Sequence, residues 1–147
     1  MPPQDSGPKA EAAKVFVFAL GGTIAMAPRK GGDGVTPGLD ADDLIGAVRP
    51  WLEGLDVRAE TVANVSSSSL SMAQIADVAG RSRAAIAGGA AGVVITQGTD
   101  TVEETAFLLD LLLDLEAPVV VTGAMRAPSQ AGADGPANLV AAIRTAA

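Results

Sequence analysis

Apolar residues gather into short runs along this chain, and several of the runs stop at glycine or threonine. The first, Val15 to Leu20, shows no period-2 alternation, which predicts a strand buried on both faces of a parallel sheet. It ends in Gly21-Gly22-Thr23 before Ile24-Ala25-Met26. Pro28 to Pro37 is rich in breakers and polar residues, which predicts a loop that is a candidate lid over a site. Asp40 then reads as the N-cap of a helix carrying Leu44, Ile45 and Val48. Val57 to Val65 alternates as a second strand does, and Ser66 to Ser69 connects it to a helix with Leu70, Ile75, Val78 and Ala79 on one side.

Gly92 to Thr96 predicts a third strand, which runs without a linker into Gly98-Thr99-Asp100-Thr101. A helix follows from about Val102 to Leu115, with Phe107, Leu108, Leu111, Leu112 and Leu115 expected to face the sheet. A fourth strand, Pro118 to Thr122, opens into Gly123-Ala124-Met125-Arg126. Asp134-Gly135-Pro136 starts a last helix that runs through Leu139, Val140 and Ile143 to Ala147. The alternation of strand and helix predicts an α/β fold, a doubly wound parallel sheet with crossover helices, over residues 15–147. Residues 1–14, rich in Pro, Gly, Ala and charge, read as a disordered tail.

The 147 residues suffice for one domain with a core, and 48% hydrophobic content fits a folded chain. Ten Lys and Arg against 17 Asp and Glu leave no basic footprint for nucleic acid or anionic lipid, so small-molecule chemistry is the expectation. Cysteine and histidine are both absent, which excludes disulfides, thiol catalysis and imidazole as base or metal ligand. Catalysis must then use hydroxyls, carboxylates, lysines or backbone dipoles. The N-terminus lacks the apolar core of a secretory signal and no apolar run approaches the ~20 residues of a membrane span, so the chain reads as cytoplasmic.

The candidate chemistry sits where two strands end, the place where open α/β sheets keep their ligands. Thr23 offers a hydroxyl after two glycines that let backbone approach a ligand and aim N–H groups at it, or it bonds its own turn. Thr99 and Asp100 pair a hydroxyl with a carboxylate able to bind an ammonium, or they cap the following helix, with Glu103 and Glu104 favoured in its first turn. Ser67 and Ser68 could hold a carboxylate, or belong to a solvated loop. Arg126 is assigned no catalytic role, an exposed arginine or surface ion pair being the simpler reading.

Together, Leu20-Gly21-Gly22-Thr23-Ile24-Ala25 and Ile95-Thr96-Gln97-Gly98-Thr99-Asp100-Thr101, continued by Glu103-Glu104-Thr105-Ala106, resemble the two signatures of the bacterial-type L-asparaginase family. The resemblance extends through Pro118 to Arg126 and Ala133-Asp134-Gly135-Pro136-Ala137-Asn138-Leu139. It implies the N-terminal domain of the asparaginase fold and hydrolysis of the L-asparagine side-chain amide to aspartate and ammonia, without metal or organic cofactor. Thr23 is then the nucleophile, and Thr99 and Asp100 the second pair, with the carboxylate gripping the α-amino group. Ser67 and Ser68 bind substrate beside Gly22 and Gly98, Ser68 standing where the family often has glutamine. A homo-oligomer, dimer or tetramer, is implied as well.

Two departures stand out. The chain has no tyrosine, whereas many family members activate the first threonine with a loop tyrosine that would align near Val35-Thr36. Its lysines are Lys9, Lys14 and Lys30, which places the family's catalytic lysine beyond Ala147. The expectation is an incomplete N-terminal domain ending in mid-helix, a piece of a longer gene product that alone releases little ammonia. The competing expectations are the asparaginase-like subunit of a tRNA-dependent amidotransferase, a non-catalytic remnant, and a dinucleotide-binding module. The last lacks the Gly-x-Gly-x-x-Gly spacing.

Overall fold

In the computed structural model, which describes residues 12–29, 31 and 34–147, a four-stranded parallel sheet carries the core. The strands in chain order are β1 (Ala13–Gly21), β2 (Met26–Pro28), β3 (Val35–Pro37), β4 (Leu55–Val65), β5 (Gly92–Thr96) and β6 (Val119–Thr122). Across the sheet the order is β4, β1, β5, β6, while β2 and β3 form a separate antiparallel pair. Val17 lies opposite Ala59 on one side and Val94 on the other, and Val94 opposite Val120. The helices are α1 (Ala41–Val48), α2 (Met72–Ala87), α3 (Val102–Leu112) and α4 (Gly135–Ala146).

Successive strand side chains point to opposite faces, so the unbroken apolar run of β1 feeds two cores at once. Val15, Val17 and Ala19 pack with Leu44, Ile45 and Val48 of α1 and Leu139 and Ile143 of α4. Phe18 and Leu20 pack with Ile75 and Val78 of α2 and Leu109 of α3. Helices thus cover both faces of the sheet, as the doubly wound reading expects. Each fully buried aliphatic side chain contributes about 1.5–3 kcal/mol. Asp40 caps α1 as expected, in a reciprocal box with Asp43, and Ser71 and Gln74 form a second box at the start of α2.

Several expectations need correction. Phe107 and Leu111 are 65% and 67% exposed and do not face the sheet. Leu108 and Leu112 of the expected set do pack, half-buried, on the core, but the fully buried residues of α3 are Thr105 and Leu109, because leucines on several faces of one helix cannot mark the inner one. That helix stops at Leu112, leaving Leu115 outside it, and Leu70 precedes α2 while still packing on its core. The two ends of the Pro28 to Pro37 loop pair as β2 and β3, with Pro28 opposite Val35; Lys30, Gly32 and Asp33 lie outside the described residues. Of the expected tail, residues 1–11 also lie outside them, and β1 already begins at Ala13. Among the described residues no helix is long and apolar enough to cross a membrane.

β1 and β5 are neighbours, yet the helix after β1 packs on one face and the helix after β5 on the other. The crevice between their carboxyl ends is therefore a topological switch point, where α/β sheets bind ligands.

Candidate active site

Three glycines weld the strand ends into one site. A Cβ built on Gly22 would lie 2.1 Å from Gly98 N and 2.3 Å from Gly98 Cα, so these two backbones touch across the switch point. Gly22 reaches this position with φ +81° and ψ −173°, a conformation open in practice only to glycine. A Cβ on Gly98 would meet Ser67 Oγ at 2.8 Å, and one on Gly123 would meet Gln97 O at 2.5 Å and Thr99 Cγ2 at 3.3 Å. Thr23 follows directly on Gly22, and Thr99 on Gly98. The ends of all four parallel strands thus converge on the two threonine turns.

Thr23 opens a single 3-10 turn, Thr23–Ala25, closed by Ala25 N–H donating to Gly22 O at 3.0 Å. The N–H of Gly22 donates to Val65 O at 3.1 Å, so close approach rather than a free N–H is what Gly22 offers a ligand. Thr23 and Thr99 are half-buried and Asp100 is exposed. Ser67 is only 1% exposed, and its Oγ has no hydrogen-bond partner among the described residues. An unpaired buried hydroxyl costs about 1–3 kcal/mol, which a ligand acceptor would offset. The solvated-loop reading therefore fails for Ser67. Ser68 is exposed, with its Oγ 3.0 Å from Ser66 Oγ.

The capping alternative for Thr99 and Asp100 also fails. The N-cap position of α3 is Thr101, and it makes no side-chain cap. Instead its Oγ1 donates to Ser67 O at 3.1 Å, tying the Ser67–Ser69 turn to the Thr99–Thr101 turn. Thr101→Val keeps the shape and removes this bond, and should cost about 1 kcal/mol. Thermal unfolding would show a midpoint lower by a few degrees, with Thr101→Ser close to wild type; equal midpoints for Val and Thr would refute the tie.

Three further side chains brace these turns without a site role assigned from the sequence. Gln97 is 0% exposed, and its Nε2 donates to Gly98 O at 3.1 Å, bracing the glycine that Gly22 presses against. On the β6 side, Asp134 accepts the N–H groups of Met125 at 3.0 Å and Arg126 at 2.9 Å, and Asn138 Nδ2 donates to Gly123 O at 3.0 Å. The Met125 N–H first, then that of Arg126, holds the Asp134 carboxyl below the ordinary carboxylate range. A lowered pKa means that the stabilisation is fully present above the unfolded value and is lost as the pH falls through the folded one, so the turn stays fastened at neutral pH. Thr101 stands inside the second signature, and Asp134 and Asn138 are four apart at a helix start. That spacing was the available signal.

Two grooves lie elsewhere, one of ≈ 430 Å³ between α3 and β6 and an apolar one of ≈ 470 Å³ beside Phe107 and Leu111. Neither contains Thr23, Thr99, Asp100 or Ser67. The crevice is marked by contact geometry and chemistry, not by volume.

Known proteins place these turns in a family context. The family model described as "Asparaginase, N-terminal" matches residues 14–147. The chain is 42% identical over 139 residues to L-asparaginase 2-3 of Saccharomyces cerevisiae, covering 90% of this chain and 38% of that protein. It is 29% identical over 146 residues to a glutamyl-tRNA(Gln) amidotransferase subunit of Methanococcus maripaludis, covering 99% of this chain and 35% of that one. The crystal structure of a probable cytoplasmic L-asparaginase from Campylobacter jejuni superposes with a TM-score of 0.83 at 36% identity, over 91% of this chain and 41% of that chain. The chain thus spans about two-fifths of the length of these relatives. Because the family model runs across both threonine turns and every strand that builds the crevice, this chain belongs to the asparaginase family.

Proposed function

We propose that the protein is an amidohydrolase that converts L-asparagine to L-aspartate and ammonia through an ester on Thr23. The observation that carries this is the contact of Gly22 with Gly98, which sets two hydroxyl-bearing turns and a carboxylate around one crevice with the buried Ser67 beneath. In the first half-reaction Thr23 Oγ attacks the amide carbon, its proton passes to the leaving nitrogen, and ammonia departs. In the second, water held by Thr99 cleaves the ester, freeing aspartate and restoring the hydroxyl. Asp100 faces the substrate's α-ammonium, and Ser67 its α-carboxylate, with Ser68 alongside and Gly22 and Gly98 giving the backbone room to approach. The sum is asparagine plus water to aspartate plus ammonia, with no cofactor.

A hydroxyl needs a base to become a nucleophile; for Thr23 the resemblance assigns that help to a loop tyrosine that this chain lacks, and it gives the Thr99–Asp100 pair a lysine in the part of the family's length that this chain does not span. The same resemblance supports a cytoplasmic homo-oligomer whose subunits complete one another's sites. The likeness to an amidotransferase subunit favours a second reading, in which the ammonia comes from glutamine and passes to a partner. The two separate on substrate. Ammonia release by the full gene product should prefer asparagine over glutamine by about tenfold or more, since one methylene is worth about 1–3 kcal/mol in a fitted site. A preference for glutamine would support the second reading, and release from neither substrate would refute both.

A further inference from the structure

The turn after β6 is held by two side chains that take no part in the chemistry above. Asn138 Nδ2 donates to Gly123 O and to Asp134 Oδ2, both at 3.0 Å, so both of its hydrogens are used. Asp134 in turn accepts the main-chain N–H groups of Met125 and Arg126. Arg126 does not pair with that carboxylate; its Nη1 donates to Ala131 O at 3.3 Å. The pair stands four residues apart where α4 begins, and Leu139 and Ile143, 1% and 0% exposed, anchor that helix in the core. The grip on the turn is therefore rigid at its base.

What the turn touches gives the grip a function. A Cβ on Gly123 would strike Gln97 O and crowd the methyl of Thr99, so Gly123 is packed directly on the turn that carries Thr99. Gln97 N–H donates to Thr122 O at 3.0 Å, so the ladder between β5 and β6 runs up to the same point. Beyond it, Asn138 is the donor that holds the Gly123 carbonyl. Interiors packed at this density transmit displacements instead of absorbing them. Moving Gly123 therefore moves Thr99.

We infer that Asp134 and Asn138 are positioning residues, which set the place of Thr99 through the Gly123–Arg126 turn. The inference rests on the asparagine-hydrolysing reading, in which Thr99 serves the attack of water on the Thr23 ester. Ammonia leaves before that step and aspartate after it. A loosened Thr99 turn thus slows aspartate release and spares ammonia release, which a general loss of folding would not do.

The test follows both products in rapid-quench experiments on the full gene product, comparing wild type with Asn138→Ala and Asp134→Asn. The second variant turns an amide N–H₂ toward Asn138 Nδ2, opposing donor to donor. Both should release aspartate about tenfold or more slowly, with a burst of ammonia stoichiometric with enzyme and with kcat and KM falling together. Unchanged kcat, or a rise in KM alone, overturns the inference. If Asn138→Ala does not fold, Asn138→Gln, which displaces the donor, carries the same test. Wild type that releases no ammonia from asparagine overturns the functional reading instead. Amide hydrogen exchange at Thr99–Thr101 then decides the positioning claim alone: faster in the variant supports it, unchanged refutes it.

Discussion

In the full gene product, Thr23→Ala leaves the protein folded and lowers ammonia release from L-asparagine by about a thousandfold or more, equivalent to roughly 4 kcal/mol of barrier. The reasoning joins two properties of one residue. Thr23 is half-buried at the start of a turn that main chain alone closes, so loss of its hydroxyl should change stability within about 0.5 kcal/mol. Its position beside the Gly22–Gly98 contact makes it the hydroxyl that β1 delivers to the crevice. Thr23→Ser, which keeps a nucleophilic oxygen, should retain a measurable part of the rate. Steady-state assay of the two variants beside the thermal midpoint separates chemistry from folding. An alanine variant within tenfold of wild type would remove Thr23 from the mechanism and shift the nucleophile to the β5 turn.

The strands were legible because burial on both faces forces unbroken apolar runs, which β1 keeps up to Leu20 before its glycines and β5 keeps from Val93 to Ile95. The threonine turns were legible because glycine and hydroxyl residues cluster where a strand ends. Other features depend on distances that no local pattern encodes. Nothing in Gln97-Gly98 announces that Gln97 is buried and braces its neighbour. The hydroxyl of Thr101 could cap its own helix or reach Ser67 O, which lies 34 residues earlier, and only the fold decides. Asp134-Gly135-Pro136 reads as a helix start, yet the Asp134 carboxylate turns from that helix to the Met125 and Arg126 amides. α3 misled for the opposite reason: too many leucines gave every face the same claim to the core.

The other large effect belongs to a residue with no side chain. Gly22→Ala combines a backbone conformation that costs an alanine about 1–3 kcal/mol with a collision against Gly98 main chain that no rotamer relieves. Overpacking of this kind adds about 1–3 kcal/mol, so a total near 3 kcal/mol is expected. At roughly 2–4 °C per kcal/mol for a domain of this size, the midpoint should fall by about 10 °C. Gly54→Ala is the control, because Gly54 also has positive φ, +84°, while a Cβ there meets nothing within 4 Å. It carries the backbone penalty without the collision and lies outside the crevice, so its activity should stay near wild type. In Gly22→Ala the two turns are pushed apart by about the bulk of a methyl group, and displacements of that order cost about a hundredfold in rate. Both variants carry the cost of a positive φ, so the difference between them reads the contact together with what the ψ of −173° at Gly22 adds. If Gly22→Ala lost no more stability and no more activity than Gly54→Ala, the Gly22–Gly98 contact would not be what holds the Thr23 and Thr99 turns together, and the site would have to be assembled by the side-chain ties of Thr101 and Asn138 alone.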